Sequence, residues 1–156
     1  MPAVPKDRFQ RQLYVLSWLV LIASCINPPW LDFLLMQHAP TVVFIAFLGW
    51  LVNRIRLSRF SYAAIVAFLI MHIIGARYLY SYTPYDELAE SVLGVRISDL
   101  FGFERNHYDR LVHFLWGFLI AIPIQEFERR YLKLSAIVSS ILAMALFGRN
   151  TRWQVD

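Results

Sequence analysis

The sequence predicts an all-α protein, a polytopic transmembrane helical bundle with about five spans. Of its 156 residues, 58% are apolar and only 17% are charged, whereas a typical soluble domain has about 25% charged residues. The mean hydropathy is +0.49. The apolar residues are also gathered in runs, and a helix of about 20 such residues crosses a bilayer. The length predicts a single membrane domain that covers residues 1–156.

Five apolar segments follow one another, and we expect each to form one span. The apolar part of the first, Leu13 to Ile26, is short and needs Trp30 to extend it into the interface. We interpret it as a retained span because Asn27 to Trp30 is not a small-residue cleavage site. Pro40 is expected to kink the second span or to place its start in the interface. The predicted spans are 13–30, 33–52, 61–80, 109–127 and 132–148, with an outer loop at 81–108.

Basic residues predict the orientation, because cytoplasmic loops of membrane proteins are enriched in Lys and Arg. With the N-terminus in the cytoplasm, the inner segments carry nine basic residues: Lys6, Arg8, Arg11, Arg54, Arg56, Arg59, Arg129, Arg130 and Lys133. The outer loop then has five acidic residues against Arg96 and Arg105. Arg149 and Arg152 would lie outside after five spans. We therefore predict a multi-pass protein with a cytoplasmic N-terminus.

Several classes of partner are not expected. The net charge of +4 comes from residues that flank apolar runs, which is typical of lipid-facing proteins, so we expect a lipid bilayer and no nucleic acid. The single Cys25 excludes an intramolecular disulfide, and we expect it to be a small buried hydrophobe. No glycine-rich phosphate loop, nucleophile elbow or zinc-type spacing is found, so no metal or cofactor is predicted.

The segment that opens the fourth span carries the ionisable residues most suggestive of a site. Asp109 and His113 are four residues apart, so they share a helix face about 6 Å apart along the axis. Gly117 continues that face and would allow a neighbouring helix to approach. A carboxylate one turn from an imidazole can orient the ring or raise its basicity. Alternatively, Asp109 caps the helix N-terminus while His113 bonds a neighbouring helix.

The third span offers partners for this pair. We expect Asp109 and His113 to point into the bundle, because ionisable groups in hydrocarbon need partners. Arg77 is then expected to approach Asp109, and His72 to approach His113. The alternatives are that Arg77 extends to the lipid headgroups and that His72 is a packing residue. The predicted ligand-binding residues are His72, Arg77, Tyr108, Asp109 and His113, of which Asp109 and His113 are the candidates for catalysis.

Two further expectations concern the ends of the bundle. Pro84 followed by Tyr85 and two acidic residues predicts that the outer loop forms a structured cap with at least one short helix. Residues 98–102 are expected to form a turn. At the other end, Glu126 is expected to be solvated at the membrane interface.

A resemblance to a known family adds to this interpretation. Phe101–Phe118, with the sequence FGFERNHYDRLVHFLWGF, resembles the central motif of the YjdF-type bacterial inner-membrane proteins. The segment Gly75 to Tyr78, with Tyr80 and Pro84 after it, resembles the same family, and Asp109–Phe114 resembles the broader VanZ-like group. The resemblance covers residues 13–131. It implies a bacterial cytoplasmic (inner) membrane and a family of undefined function.

The chain departs from that family near its end. Members carry a further helix with Tyr-Glu and Glu-Trp pairs, a Gln-Gly-Asp-x-Trp-Asp segment and a final span, and none of these follows Leu134. A shortened or frame-disrupted gene would explain the difference, and one more span would return the C-terminus to the inside.

Three functions remain open from the sequence. The leading interpretation is a non-enzymatic membrane protein whose outer polar pocket binds an envelope ligand. The second is a membrane enzyme that acts on a lipid-linked or headgroup substrate, with His113 as general base or metal ligand. The third is a small transporter or proton relay. The sequence does not decide whether the protein forms a homo-oligomer.

Overall fold

The predicted all-α class is confirmed by a computed structural model, which describes residues 4–148 and contains only helices in that range. The expectations for Arg149 and Arg152 lie outside the described residues. The helices are α1 Arg8–Ser24, α2 Leu31–Ile55, α3 Arg59–Arg77, α4 Tyr85–Leu93, α5 Ile97–Phe101, α6 Tyr108–Tyr131 and α7 Ala136–Gly148.

Three of the described helices, α2, α3 and α6, are long and apolar enough to cross a membrane. Helix α2 continues through Pro40, and α6 continues through Pro123. Helices α1 and α7 have 17 and 13 residues, fewer than the about 20 needed for a full crossing. Each apolar segment of the sequence therefore contains a helix, although the first and last are shorter than the predicted spans.

Helix α3 is the centre of the bundle, because α1, α2 and α6 all pack against it, while α7 packs on α6. Its buried face carries Tyr62, Ile65, Val66, Leu69 and Ile73. Helices α2 and α6 lie on α3 but make little contact with each other, which leaves a cleft between them. This cleft adjoins the candidate functional site, because Trp116 lines both.

The outer surface of the bundle is rich in large apolar side chains that no protein atom covers. In water such a surface would be unfavourable, and in a bilayer it meets lipid tails. Examples more than half exposed are Leu19, Ile22, Leu35, Met36, Val43, Phe60, Phe114, Phe118 and Ile137. The protein is therefore embedded in the lipid bilayer.

The ends of α1, α2, α3 and α6 meet at one side of the bundle, where several polar contacts connect them. Asp7 pairs with Arg59 at 2.7 Å. Glu126 accepts hydrogen bonds from the backbone N–H of Ser58 at 2.8 Å and from its hydroxyl at 2.7 Å, and it pairs with Arg130 at 2.7 Å. The expectation of a solvated Glu126 was wrong, since its side chain is 16% exposed. It was wrong because the carboxylate satisfies free donors at the start of α3.

The cap, residues 81–108, contains short helices, as predicted. Helix α4 begins where expected, after Pro84, with two acidic residues in its first turn. Residues 98–102, expected to be a turn, instead belong mostly to the one-turn helix α5, which Gly102 ends at φ 65°. Asp86 joins the two helices by accepting hydrogen bonds from the Ser98 N–H at 2.9 Å and hydroxyl at 2.5 Å. The side-chain amide of Asn106 connects the two ends of the cap by donating to the carbonyl of Thr83 at 2.7 Å.

We expect the fold of the cap to depend on pH through Asp86. Burial opposes ionisation of this carboxyl, but the hydrogen bonds from Ser98 and the charge of Arg96 outweigh it and hold the Asp86 pKa below its usual value. A lowered pKa in the folded state stabilises the cap above the unfolded-state pKa, and this contribution is lost as pH falls through the folded-state value. Amide exchange in residues 85–93 should therefore accelerate at acidic pH.

Asp86→Asn should remove most of that pH dependence. The matched control is Asp99→Asn, whose carboxylate is 76% exposed, and its exchange should follow the wild type. Equal pH dependence in the wild type and Asp86→Asn would show that another group controls the cap.

One further expectation was wrong. Cys25 is exposed, where the sequence predicted a buried side chain. It follows Ser24 as the capping residue of α1, and a helix end leaves its side chain outside the packed face.

Candidate functional site

The site begins at a strained turn immediately after α3. Leu79 and Tyr80 both adopt positive φ, at 50° and 58°, a region that residues other than glycine seldom occupy. The turn is held by a 2.7 Å hydrogen bond from the Tyr80 N–H to the carbonyl of Gly75. It reverses the chain, so that the Tyr80 side chain returns over the end of the helix.

Gly75 makes this reversal sterically possible. A Cβ at Gly75 would lie 2.6 Å from the Tyr80 ring and 3.2 Å from the Tyr108 ring. Because Gly75 has no side chain, the rings of Tyr80 and Tyr108 can both pack against α3 at this position. Tyr108 is buried there, and its hydroxyl donates to the carbonyl of Met71 at 2.9 Å.

His72 holds the Tyr80 hydroxyl in place. The Thr41 hydroxyl donates to the carbonyl of Gln37 at 2.9 Å, so at its 3.0 Å contact with His72 it must accept from Nε2–H. The His72 Nδ1 is then the acceptor for the Tyr80 hydroxyl at 2.5 Å. Both ring nitrogens of His72 are thus engaged, and the Tyr80 oxygen keeps free acceptor capacity.

The His113 ring is also held in one orientation, in which Nδ1 is engaged and Nε2 is free to accept. Its Nδ1 lies 2.8 Å from the carbonyl of Asp109 and 3.1 Å from the Asp109 carboxylate. A carbonyl can only accept, so Nδ1 carries the hydrogen and the Nε2 of the neutral ring is an acceptor. An imidazole held in this way can bind a ligand donor or act as a base.

These side chains line one pocket of about 220 Å³ near the end of the bundle that carries the cap: Phe68, His72, Tyr80, Val112, His113 and Trp116. The ring centroids of Tyr80 and His113 are 6.5 Å apart. Phe68 and Trp116 form the apolar wall, with ring centroids 4.7 Å apart. Two oriented polar groups, the Tyr80 hydroxyl and the His113 imidazole, thus share the pocket with this aromatic wall, a composition typical of small-molecule sites. Among the described residues, no group of three or more His, Cys, Asp or Glu is placed to hold a metal ion.

The predicted pairing of Arg77 with Asp109 is wrong. The Arg77 guanidinium donates to the backbone carbonyls of Ser24 and Asn27. The last carbonyls of a helix have no intrahelical partners, so the end of α1 is a strong acceptor for a cation at the nearby end of α3. Arg77 therefore connects α1 to α3 and does not line the pocket.

The prediction that Asp109 and His113 point into the bundle is wrong, because the inward face of α6 is displaced by one residue. Tyr108 and Val112 are the buried residues that meet α3, while the side chains of Asp109 and His113 are 47% and 73% exposed on the flank. The expectation assumed that the small residue at this contact would belong to α6. It belongs to α3, as Gly75, and the large Tyr108 fills the space. His113 still reaches the same pocket as His72, and Tyr80 connects the two.

Sequence reasoning missed three contributors. Tyr80 was mentioned only in the family resemblance, Trp116 was not singled out, and the buried contact of His38 Nε2 with the Ser24 hydroxyl at 2.7 Å was not anticipated. The spacing of Gly75 and Tyr80 was the available signal, since a glycine five residues before an aromatic can accommodate a reversal of the chain.

A helical bundle with lipid-exposed apolar faces and its polar side chains at the helix ends is a multi-pass membrane protein. The chain belongs to the family described as predicted membrane protein DUF2238, whose model matches residues 9–149. This confirms the family resemblance.

The chain is similar to the inner membrane protein YjdF of Escherichia coli strain K12, with 27% identity over 92 residues. These residues are 59% of this chain and 40% of the relative, so the match spans about two fifths of that protein. No solved structure matches the chain.

Proposed function

We propose that this protein binds an envelope ligand in the outer pocket, as an inner-membrane protein with a cytoplasmic N-terminus. The observation that supports this function best is the pair of acceptors, Tyr80 Oη and His113 Nε2, which share one pocket. Each is fixed by a second side chain, Tyr80 by His72 and His113 by Asp109. Such orientation by supporting residues lowers the cost of ordering a binding site. His72 and Asp109 thus act as positioning residues.

The grouping of charges supports the orientation. The starts of α1 and α3 and the ends of α2 and α6 meet at one end of the bundle through the contacts of Asp7, Glu126 and Arg130. The nine basic residues listed above therefore lie toward that end, as the positive-inside rule requires of a cytoplasmic face. The acidic cap lies at the other end with the pocket.

Cysteine labelling from outside intact cells tests the orientation. In a Cys25→Ser background, Ser91→Cys on α4 should react with a membrane-impermeant maleimide, and Arg129→Cys should react only after lysis. Both positions are exposed. The opposite pattern would invert the topology and place the pocket on the cytoplasmic side.

Histidine-ring NMR tests ligand binding directly. The full chain, labelled with ¹⁵N-histidine, is placed in phosphatidylcholine nanodiscs and exposed separately to the water-soluble and lipid-soluble fractions of a bacterial envelope extract. One fraction should shift the His113 ring signals, whereas those of His107 in the cap should stay unchanged. Tyr80→Phe should weaken binding, measured as a smaller shift of the His113 ring signals. If neither fraction shifts His113, the pocket is not a ligand site.

The Asp109–His113 pair favours a second candidate function. A histidine held by a carboxylate at 3.1 Å can remove a proton from water, which would make the protein a hydrolase of lipid headgroups. Release of a headgroup by the wild type but not by His113→Gln, with ligand binding retained, would favour the enzyme over the binding protein.

A further inference from the structure

We propose that the ligand is a long-chain amphiphile with a phosphate-bearing head, and that its tail lies in the cleft between α2 and α6. This inference rests on the proposed function of the outer pocket. The observation behind it is that three cavities follow one another along one side of α6. They are an upper polar cleft next to the cap, the outer pocket, and a lower apolar cleft between α2 and α6.

One face of α6, here called the stripe, forms this side of the three cavities. Its members recur every three or four residues, the spacing that places side chains on one helix face: Asp109, His113, Trp116, Ile120, Ile124 and Phe127. Trp116 lines both the outer pocket and the cleft below it. Asp109 contacts His113 of the pocket and also lines a polar cleft above it. The stripe therefore passes from charged to polar to apolar along the helix.

The lower cleft has the dimensions of a hydrocarbon chain. It has a volume of about 400 Å³ and is lined almost wholly by apolar residues of α2, α3 and α6. Its α2 wall runs from Phe44 to Ile55, which is ~16 Å at the helical rise. A cleft of this length with apolar walls suits a hydrocarbon tail.

The carboxylate of Glu128 does not make the cleft polar. It accepts a hydrogen bond at 2.6 Å from the hydroxyl of Ser139, a residue of α7 that is fully buried. The cleft lies within the membrane-crossing helices, where lipid tails surround the protein.

The upper cleft has the chemistry of an anion site. It has a volume of about 350 Å³ and is lined by Ser81, Tyr82, Arg105, Asn106, Asp109 and Arg110. Within the described part of the chain, Arg105 and Arg110 form no ion pair, while the Asp109 carboxylate is paired with His113. Guanidinium groups bind phosphate oxygens through paired hydrogen bonds. A phosphate head would thus sit at the membrane surface with its oxygens on the two guanidinium groups, which are donors, and not on the acceptors Tyr80 and His113.

The length of the stripe indicates a long tail. From His113 to Phe127 the helix rises ~21 Å, which exceeds the roughly 15 Å of hydrocarbon in one leaflet. A chain that fills the cleft therefore passes the middle of the membrane. Short amphiphiles would leave its lower half to other lipid tails, so affinity should rise with chain length through packing contacts with the cleft.

A series of alkyl phosphates tests the inference on the full chain in phosphatidylcholine nanodiscs, with the His113 ring signals as readout. At equal mole fraction in the bilayer, octadecyl phosphate should bind more tightly than octyl phosphate, because only the longer chain packs along the whole cleft. Inorganic phosphate and octadecanol should each bind more weakly than octadecyl phosphate. Arg110→Gln should weaken the binding of octadecyl phosphate and leave the binding of octadecanol unchanged.

A matched pair of variants locates the tail. Ile120→Trp enlarges a side chain in the cleft and should weaken the binding of octadecyl phosphate. Phe118→Trp enlarges a side chain on the lipid-facing side, where Phe118 is 63% exposed, and should leave that binding unchanged. If Ile120→Trp does not fold, the chain-length series on the wild type still decides. Equal binding of all chain lengths, or of inorganic phosphate alone, would overturn the amphiphile. Binding of a water-soluble envelope fraction in the same assay would overturn it while leaving the pocket a ligand site.

Discussion

Gly75→Ala is expected to displace Tyr80 and to remove ligand binding. The added methyl group would lie 2.6 Å from two carbon atoms of the Tyr80 ring, so the ring must move and its hydrogen bond to His72 must lengthen. Overpacking of this kind costs typically 1–3 kcal/mol. The unfolding free energy in detergent should fall by about that amount, and the ¹⁵N signal of His72 Nδ1 should change as it loses its donor.

Ala67→Ser is the matched control, because it also adds one heavy atom to α3 but on an exposed position. It should leave both the stability and the His72 signal close to those of the wild type. An unchanged His72 signal in Gly75→Ala would mean that the turn at Leu79 and Tyr80 tolerates the methyl group, and that Gly75 does not determine the position of Tyr80.

Glu126→Ala is expected to destabilise the basic end of the bundle. The carboxylate accepts from the N–H and hydroxyl of Ser58 and pairs with Arg130, so its removal leaves donors at the start of α3 without their partner. Hydrogen bonds to charged groups contribute about 1.5–3 kcal/mol. We expect a loss of about 3 kcal/mol in the unfolding free energy, measured by denaturation in mixed micelles.

Glu104→Ala provides the comparison, since Glu104 is an exposed glutamate of the cap, and its effect should be small. Ligand binding at the opposite end should survive in Glu126→Ala under conditions where the protein remains folded. A loss of stability equal to that of Glu104→Ala would show that Glu126 is solvated, as its neighbouring charges first indicated.

The sequence was sufficient for the class of fold and for the cap. Apolar runs and their flanking charges depend on local composition, which the bilayer selects directly, so the helices appear where those runs are. The start of α4 was likewise predictable, because Pro84 and the acidic residues after it act within a single helical turn.

Partners across helices were not predictable in the same way. The sequence led us to expect Arg77 beside Asp109, but it carried no information about the rotation of α3 around its axis. The end of α1 lies nearer and offers carbonyl groups, so Arg77 binds Ser24 and Asn27. Similarly, the contact between α3 and α6 depends on which helix supplies the small residue, and the sequence offered both Gly75 and Gly117.

Tyr80 shows a third limit. Its role depends on positive φ at two successive residues, Leu79 and Tyr80, neither of which is a type that favours that conformation. Local propensity predicts against such a turn. The contacts with Gly75 and His72 hold it, and such strain is often associated with functional positions.

The most direct measurement is an experimental structure of the full chain in nanodiscs made from bacterial envelope lipids. The pocket should contain density that is not protein, within hydrogen-bond distance of Tyr80 Oη and His113 Nε2. A pocket closed by its own side chains, or a His113 ring turned away from Tyr80 into bulk lipid, would contradict the proposal that this end of the bundle is a binding site.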